Sequence, residues 1–374
     1  MKLSNKRSIF LLVFLISFSS LIFSQVQKLK TKVENEVIII KNPKTPLFPN
    51  KKLILKKELA IGEESSVFLD IRTVRVDKDE NIYVLDQKDC KIKMFDKSGK
   101  HIRDIGKRGN GPGEMMLPLV MEMISEKDIM IFDRLNLRIT KFNSDGNILK
   151  TISTAKFSRS LNIIPDSLGN FFVLILNYSA DGETIYELKK LDSEFNLLFN
   201  IGAIKTPLSA SEIIQVISKQ IYFQLTNKQN VIWGINTEYE LQIVDNNGKP
   251  LRKIIKDYKP IHISEAGKKE LLRRIYTSGR IPPGKKANFP RDYPPFHYFI
   301  TDDQDWIYVK TYERVGDEGF YYDIFDSDGK YVSRILFKIR PIVIKKNKLY
   351  TIEEDKEGFH IVKRYNMEWK DNKH

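Results

Sequence analysis

The stretch IGKRGNGPGEM (105–115) gathers glycines and bases as a phosphate-cradling loop does. A phosphate loop needs Gly-x4-Gly-Lys-Ser/Thr running into a helix, and here Pro112 follows Gly111. A dinucleotide fingerprint needs Gly-x-Gly-x-x-Gly opening a helix. Gly109, Gly111 and Gly113 are spaced otherwise, and Pro118 would break a helix begun after them. These glycines therefore read as a chain crossing. Asp326-Ser327-Asp328-Gly329 has the start of a calcium loop but not its twelve-residue ligand series ending in Glu, so it reads as a hairpin turn. The histidines are His101, His262, His297, His360 and His374, and none has a metal-ligand spacing such as His-x3-His. His297, in FHYFI, is expected on an innermost strand at a central channel. Asp86 and Asp133 end apolar runs, where a carboxylate accepts backbone N–H groups of a turn.

The elements that would hold these residues are written in a repeated phrase. FDKSGK (95–100), FNSDGN (142–147), LDSEFN (191–196), VDNNGK (244–249), FDSDGK (325–330) and YNMEWK (365–370) recur at gaps of 47, 49, 53, 81 and 40. Asp-Gly, Asn-Gly and Ser-Gly between apolar runs mark hairpins, because the turn needs a residue at positive φ. Two copies lack the glycine. Periods of about 40–50 residues with strand character indicate propeller blades. The first period reads as strands at 70–76, 82–86, 91–95 and 101–105, and the second repeats it at 120–124, 129–133, 138–142 and 148–152. Unbroken runs such as IYVL (82–85) suit strands buried on both faces. Too little chain follows YNMEWK for a fourth strand. KLILKKELAIG (52–62) ends in Ile-Gly as other fourth strands do, so 52–61 should pair with a strand at 358–365 and close the ring. VIII (37–40) adds a further strand or packs outside.

Lys2, Lys6 and Arg7, an apolar run from Ile9 to Phe23 and Ser24-Gln25 form an export signal. The run is shorter than the about 20 residues a spanning helix needs, so no permanent membrane span is expected after cleavage. Cys90 is the only cysteine, which rules out an intramolecular disulfide. The net charge of +14 becomes +11 without the three leader bases, and a basic surface favours anionic partners. Nucleic acid is not expected, given export and no basic motif interleaved with aromatics.

DKDENIYVLD (77–86), KIKMFDKSGKHIRDIG (91–106) and RGNGPGEM (108–115) resemble six-bladed propellers of the NHL-repeat and TolB-like kind, in exported bacterial members of unassigned activity. The resemblance spans about residues 52–370. It implies an all-β ring of six four-stranded antiparallel blades, and its characterised relatives bind RNA, proteins or small ligands, or are metal-dependent lyases and lactonases. Fold does not select among these.

The expected organisation is a signal peptide (1–24), an extension (25–51), the propeller (52–370) and a tail (371–374). One insertion, 257–295, lies between blades 4 and 5. Ser264 should cap a helix from Glu265 to about Thr277, followed by a proline-rich return. Residues 256–295 hold ten basic against four acidic residues, a net +6. In a four-stranded meander the second-to-third turns and the crossings share one face, here called the top, and the repeated phrases lie on the other.

Top-face candidates by position are Lys88, Arg108, Asn110, Glu114, Arg134 and Tyr178. His297, Tyr312 and Arg314 join them, and Arg273, Arg274, Lys285 and Lys286 belong to the basic insertion. The expected function is recognition of a protein or anionic ligand in the cell envelope, periplasmic or secreted, by a monomer without cofactor or catalytic residue. The alternative is a metal-dependent propeller hydrolase or lyase, lactonase-like, with a divalent metal in the channel.

Overall fold

The computed structural model describes residues 29–63, 67–157, 159–207, 213–277, 286–316 and 319–371. The expected leader (1–24) and residues 372–374 lie outside them. Blade 1 runs Ile71–Val76, Ile82–Asp86, Lys91–Phe95 and His101–Ile105. Blade 2 is Pro118–Met123, Ile129–Asp133, Arg138–Phe142 and Ile148–Ser153, and blade 3 is Ser160–Pro165, Phe171–Tyr178, Glu183–Leu191 and Leu197–Pro207. Blade 4 is Ile221–Leu225, Val231–Ile235, Glu240–Val244 and Pro250–Lys256, and blade 5 is Tyr298–Thr301, Ile307–Arg314, Phe320–Phe325 and Tyr331–Phe337. Blade 6 takes Pro341–Lys345, Lys348–Glu354 and His360–Asp371 from the C-terminal end and Lys51–Ile61 from the N-terminal end.

The core explains why these sheets close. Each of six apolar clusters draws on two neighbouring blades, from 1–2 around to 6–1. The second strands of blades 1 and 2 are buried along their whole length, as unbroken apolar runs packed on both faces require. First strands neighbour one another from blade to blade and so form the inner wall.

Five of the six phrases turn as their composition dictates. Asp96, Asn143, Asp192, Asp245 and Asp326 each accept, on Oδ1, backbone N–H groups two and four residues on. The positive φ falls on glycine in four of these turns. In LDSEFN it falls on Phe195, at φ 65°, whose ring stacks on Phe171 at 5.0 Å. That stacking offsets the strain a glycine would have avoided.

YNMEWK, read as the sixth turn, is instead part of the strand His360–Asp371. Tyr365, Met367 and Trp369 alternate into the cluster between blades 5 and 6, the period-two pattern of a strand. The strand thus runs beyond the expected 358–365. The N-terminal strand pairs along it from Ile61↔Val362 to Lys51↔Asp371.

The described part of the extension forms strands too. We number its strands β1 (Lys30–Glu34), β2 (Val37–Asn42) and β3 (Lys51–Ile61). β1 and β2 form a hairpin, and β2 adds in parallel to the outer strand of blade 4, making that sheet six-stranded rather than four. The chain then crosses blade 5, where Leu47 and Phe48 donate N–H bonds to the carbonyls of Tyr331 and Val332. β3 comes next, in blade 6, so one N-terminal arm spans three blades. Asn42, 2% exposed, pins it: Nδ2 donates to the Gly329 carbonyl at 2.9 Å, and Oδ1 accepts the Tyr331 N–H at 2.8 Å. Asn42→Ala is expected to cost about 1–3 kcal/mol by stranding these buried groups, visible as a lowered midpoint in thermal unfolding.

Candidate functional site

A roofed cleft of about 440 Å³ lies on the top face between blades 4 and 5. Its wall comes from an overlong second strand in blade 5. Ile307–Arg314 runs past regular pairing, with a register shift between Lys310 and Arg314. Strand alternation then places Lys310, Tyr312 and Arg314 in the cleft, while Thr311 and Glu313 line a smaller cavity behind the strand. His297, one residue before the innermost strand, is held by its N–H bond to the Lys310 carbonyl at 2.8 Å. Its ring lies 5.2 Å from that of Tyr312, which stacks on Tyr293 at 4.9 Å and 20°. Tyr222, from the inner strand of blade 4, donates its hydroxyl to Gln220 at 2.6 Å.

Burial keeps the phenols neutral. Burial and the neighbouring Tyr298 push Tyr222 up to about 12. Burial, with Tyr222 and Tyr293 nearby, also raises Tyr312. At neutral pH these rings are hydrogen-bond donors with apolar faces.

The insertion is the roof. The helix, α1 (Glu265–Thr277), starts where its cap predicts, with the Gly267 N–H donating to Ser264 Oγ at 3.1 Å. Gly267, Glu270, Leu271 and Ile275 lie along one face and line the cleft. A Cβ on Gly267 would stand 2.8 Å from the Tyr293 hydroxyl, so a larger residue there would have to push that ring or the helix aside. The return pairs Asp292–Tyr293 with Ile261–His262, and Lys286–Asn288 lies parallel to Ile213–Gln215, in the crossing from blade 3. Glu270, the acidic lining residue among those described, is bound at 2.9 and 3.0 Å by the guanidinium of Arg273.

The structure therefore brings His297, Tyr312 and Arg314 together in the lining, sets Arg273 and Lys286 on the roof, and leaves the other described candidates elsewhere. Arg108 donates to the Lys88 carbonyl at 2.6 Å, and the Asn110 carbonyl accepts from Arg138 at 3.1 Å. Glu114 closes its own loop through the Gly111 N–H at 2.8 Å and Lys107 at 3.2 Å. The glycine-rich loop is a structural crossing, and Asp133 receives the N–H groups of Met116 and Leu117 as it leaves. Arg134 is exposed in the next turn, and Tyr178 carries the Arg159 guanidinium over its ring at 5.0 Å. Arg273 is paired, Lys286 is exposed on the roof strand, and Lys285 and the Arg274 side chain lie outside the described residues. Sequence reasoning missed Tyr222, Tyr293 and Lys310. Lys310 shares the i, i+2, i+4 alternation with Tyr312 and Arg314, which was the available signal.

Among the described residues, no group of three or more His, Cys, Asp or Glu is placed to hold a metal ion. Glu122, on the inner wall, is bound by Arg75 across blades 1 and 2. A groove of about 430 Å³ on blade 3, beside Lys156, Arg159 and Lys189, has Leu191 and Phe195 of the blade 2–3 cluster among its lining.

Residues 62–245 match the model of the family DUF5128, described as a 6-bladed beta-propeller. The chain is a six-bladed β-propeller. A protein from Bacteroides fragilis, named for its expected export, is a similar solved structure, with 12% identity and a TM-score of 0.51 over 88% of this chain and 99% of that chain. A member of the duf4221 family from Bacteroides vulgatus has 10% identity and a TM-score of 0.53 over 86% and 99%. Virginiamycin B lyase from Staphylococcus aureus has 7% identity and a TM-score of 0.43 over 84% and 99%. At these identities the likeness is one of fold. No curated protein matches the sequence. No helix of the described residues is long and apolar enough to cross a membrane.

Proposed function

We propose that the protein is an exported recognition propeller, periplasmic or secreted. It binds an anionic ligand, or the anionic face of a protein, in the roofed cleft between blades 4 and 5. One observation carries this: the cleft lining holds two bases, Arg314 and Lys310, the latter with its ammonium 3.8 Å over the Phe320 ring, against one described acid, Glu270, which pairs with Arg273. Its volume lies in the range of small-molecule sites, about 300–1,000 Å³. A concave, low-dielectric wall strengthens each charge contact relative to open surface.

The test is calorimetry at low ionic strength with hexametaphosphate, a Glu-rich peptide and tetragalacturonate as anionic probes. At least one is expected to bind. The Lys310→Ala/Arg314→Ala variant should weaken it by about tenfold or more, since a hydrogen bond to a charged group contributes about 1.5–3 kcal/mol. The Lys88→Ala/Arg134→Ala variant removes the same charge from blades 1 and 2 and should bind as wild type does. Equal losses in the two variants would reduce the effect to net charge and refute a site in the cleft.

A further inference from the structure

From the chemistry of the lining we infer that the ligand is an acidic oligosaccharide, a chain of hydroxyl-rich rings carrying carboxylate or sulfate groups. This rests on the recognition function proposed above and narrows it to one ligand class.

Three features separate a sugar from other anions. The first is the aromatic wall. Tyr293 and Tyr312 are already stacked on each other at 4.9 Å, and His297 leans on Tyr312 at 5.2 Å. The slot in which a flat aromatic ligand would be sandwiched is filled by the pair itself. What remains for a ligand is the aromatic surface that Tyr222, Phe320 and the outer parts of this cluster give the lining, and an aromatic face carries partial negative charge that attracts the C–H face of a saturated ring. The second is the polar lining. Gln215, Gln220, Asn236 and Ser218 are amides and a hydroxyl, which both donate and accept. Hydroxyl groups need partners of both kinds, whereas a phosphate or carboxylate alone calls only for donors. These amides are set in place: Gln215 Oε1 accepts from Asn288 at 2.9 Å, and Asn236 Oδ1 accepts the Gln220 N–H at 2.9 Å. The third is the pairing of apolar and basic groups. Leu271 and Ile275 line the cleft from the roof helix, while Lys310 and Arg314 line it from the blade 5 strand. Ring stacking with a charge at its edge fits a uronate or sulfated sugar, which is apolar on its ring faces and anionic at one substituent.

The experiment is calorimetric titration of the full chain with tetragalacturonate, a mannuronate hexasaccharide and a chondroitin sulfate tetrasaccharide. The methyl ester of tetragalacturonate, hexametaphosphate and a Glu-rich peptide are the comparison probes. At least one acidic sugar should bind more tightly than hexametaphosphate and the peptide. Tyr312→Ala should weaken it about tenfold or more, and Tyr312→Phe, which keeps the ring face, should stay within about threefold. Thermal unfolding of both variants separates a lost aromatic surface from a lost fold. Arg314→Ala should weaken the acidic sugar and leave the residual affinity for the methyl ester unchanged. If hexametaphosphate or the peptide binds best, and depends on Lys310 and Arg314 but not on Tyr312, the sugar assignment is wrong while the anion site stands. If no probe binds, both fail.

Discussion

A chain beginning at Gly62, and so lacking β3, is expected to lose its cooperative thermal transition and to associate. β3 supplies the outer strand of blade 6, paired from Lys51 to Ile61. Leu53 and Leu55 pack into the blade 5–6 cluster, and Leu59 and Ile61 into the blade 6–1 cluster. A fully buried aliphatic side chain contributes about 1.5–3 kcal/mol, so four of them at half that value approach the lower end of the about 5–15 kcal/mol that holds a typical domain. The deletion also bares the twelve-residue strand His360–Asp371 as an open edge, which invites pairing between chains. Circular dichroism melting and size-exclusion chromatography would read both effects. A sharp transition and a monomeric elution from the shortened chain would show that the ring holds without its clasp.

The second large effect is expected at Lys190. Its side chain is 3% exposed and sits 2.9 Å from Asp166, whose side chain is fully buried. Its Nζ also donates to the Asn246 carbonyl at 2.7 Å, tying blade 3 to a turn of blade 4. Lys190→Met would strand a buried carboxylate, at a cost of about 3–5 kcal/mol. Asp166→Asn together with Lys190→Met should recover part of that loss, because no buried charge is then left alone. The pH dependence comes from the carboxyl. Burial pushes Asp166 up, but the Lys190 ammonium and the Asn170 N–H outweigh it, and its pKa lies below the ordinary value. A depressed carboxyl contributes stability above its unfolded pKa, about 3.9, and loses it as pH falls through the folded value. The gap between wild type and Lys190→Met in urea unfolding should therefore be widest near neutral pH and close under acid conditions.

Much of this architecture was legible in the residues. Turn chemistry at Asp96, Asn143, Asp245 and Asp326 gave the period, and the Ile-Gly ending at 61–62 located the closing strand. Ser264 marked the start of α1. YNMEWK misled because a phrase learned from five turns was carried to a sixth, where Trp369 stands at the place that takes positive φ in the others and the apolar alternation belongs to a strand. β2 was ambiguous for a different reason: a run such as VIII is buried either in a sheet or against one, and only the parallel register on blade 4 decides. The cleft was half legible. His297, Tyr312 and Arg314 came from the top-face rule. Tyr222 and Tyr293 join them through the approach of blade 4 and the insertion, which no local pattern encodes. The same rule named Lys88, Arg108, Asn110 and Glu114, but it cannot tell a loop that binds its own backbone from one that faces a ligand.

The most direct test of the roofed cleft is hydrogen exchange of the full chain with and without saturating tetragalacturonate, or hexametaphosphate should only that anion bind. The cleft predicts added protection confined to 213–216, α1, 292–297 and 310–314. Protection at 105–115 and 134–138 instead, or none at a concentration where calorimetry shows binding, would contradict it.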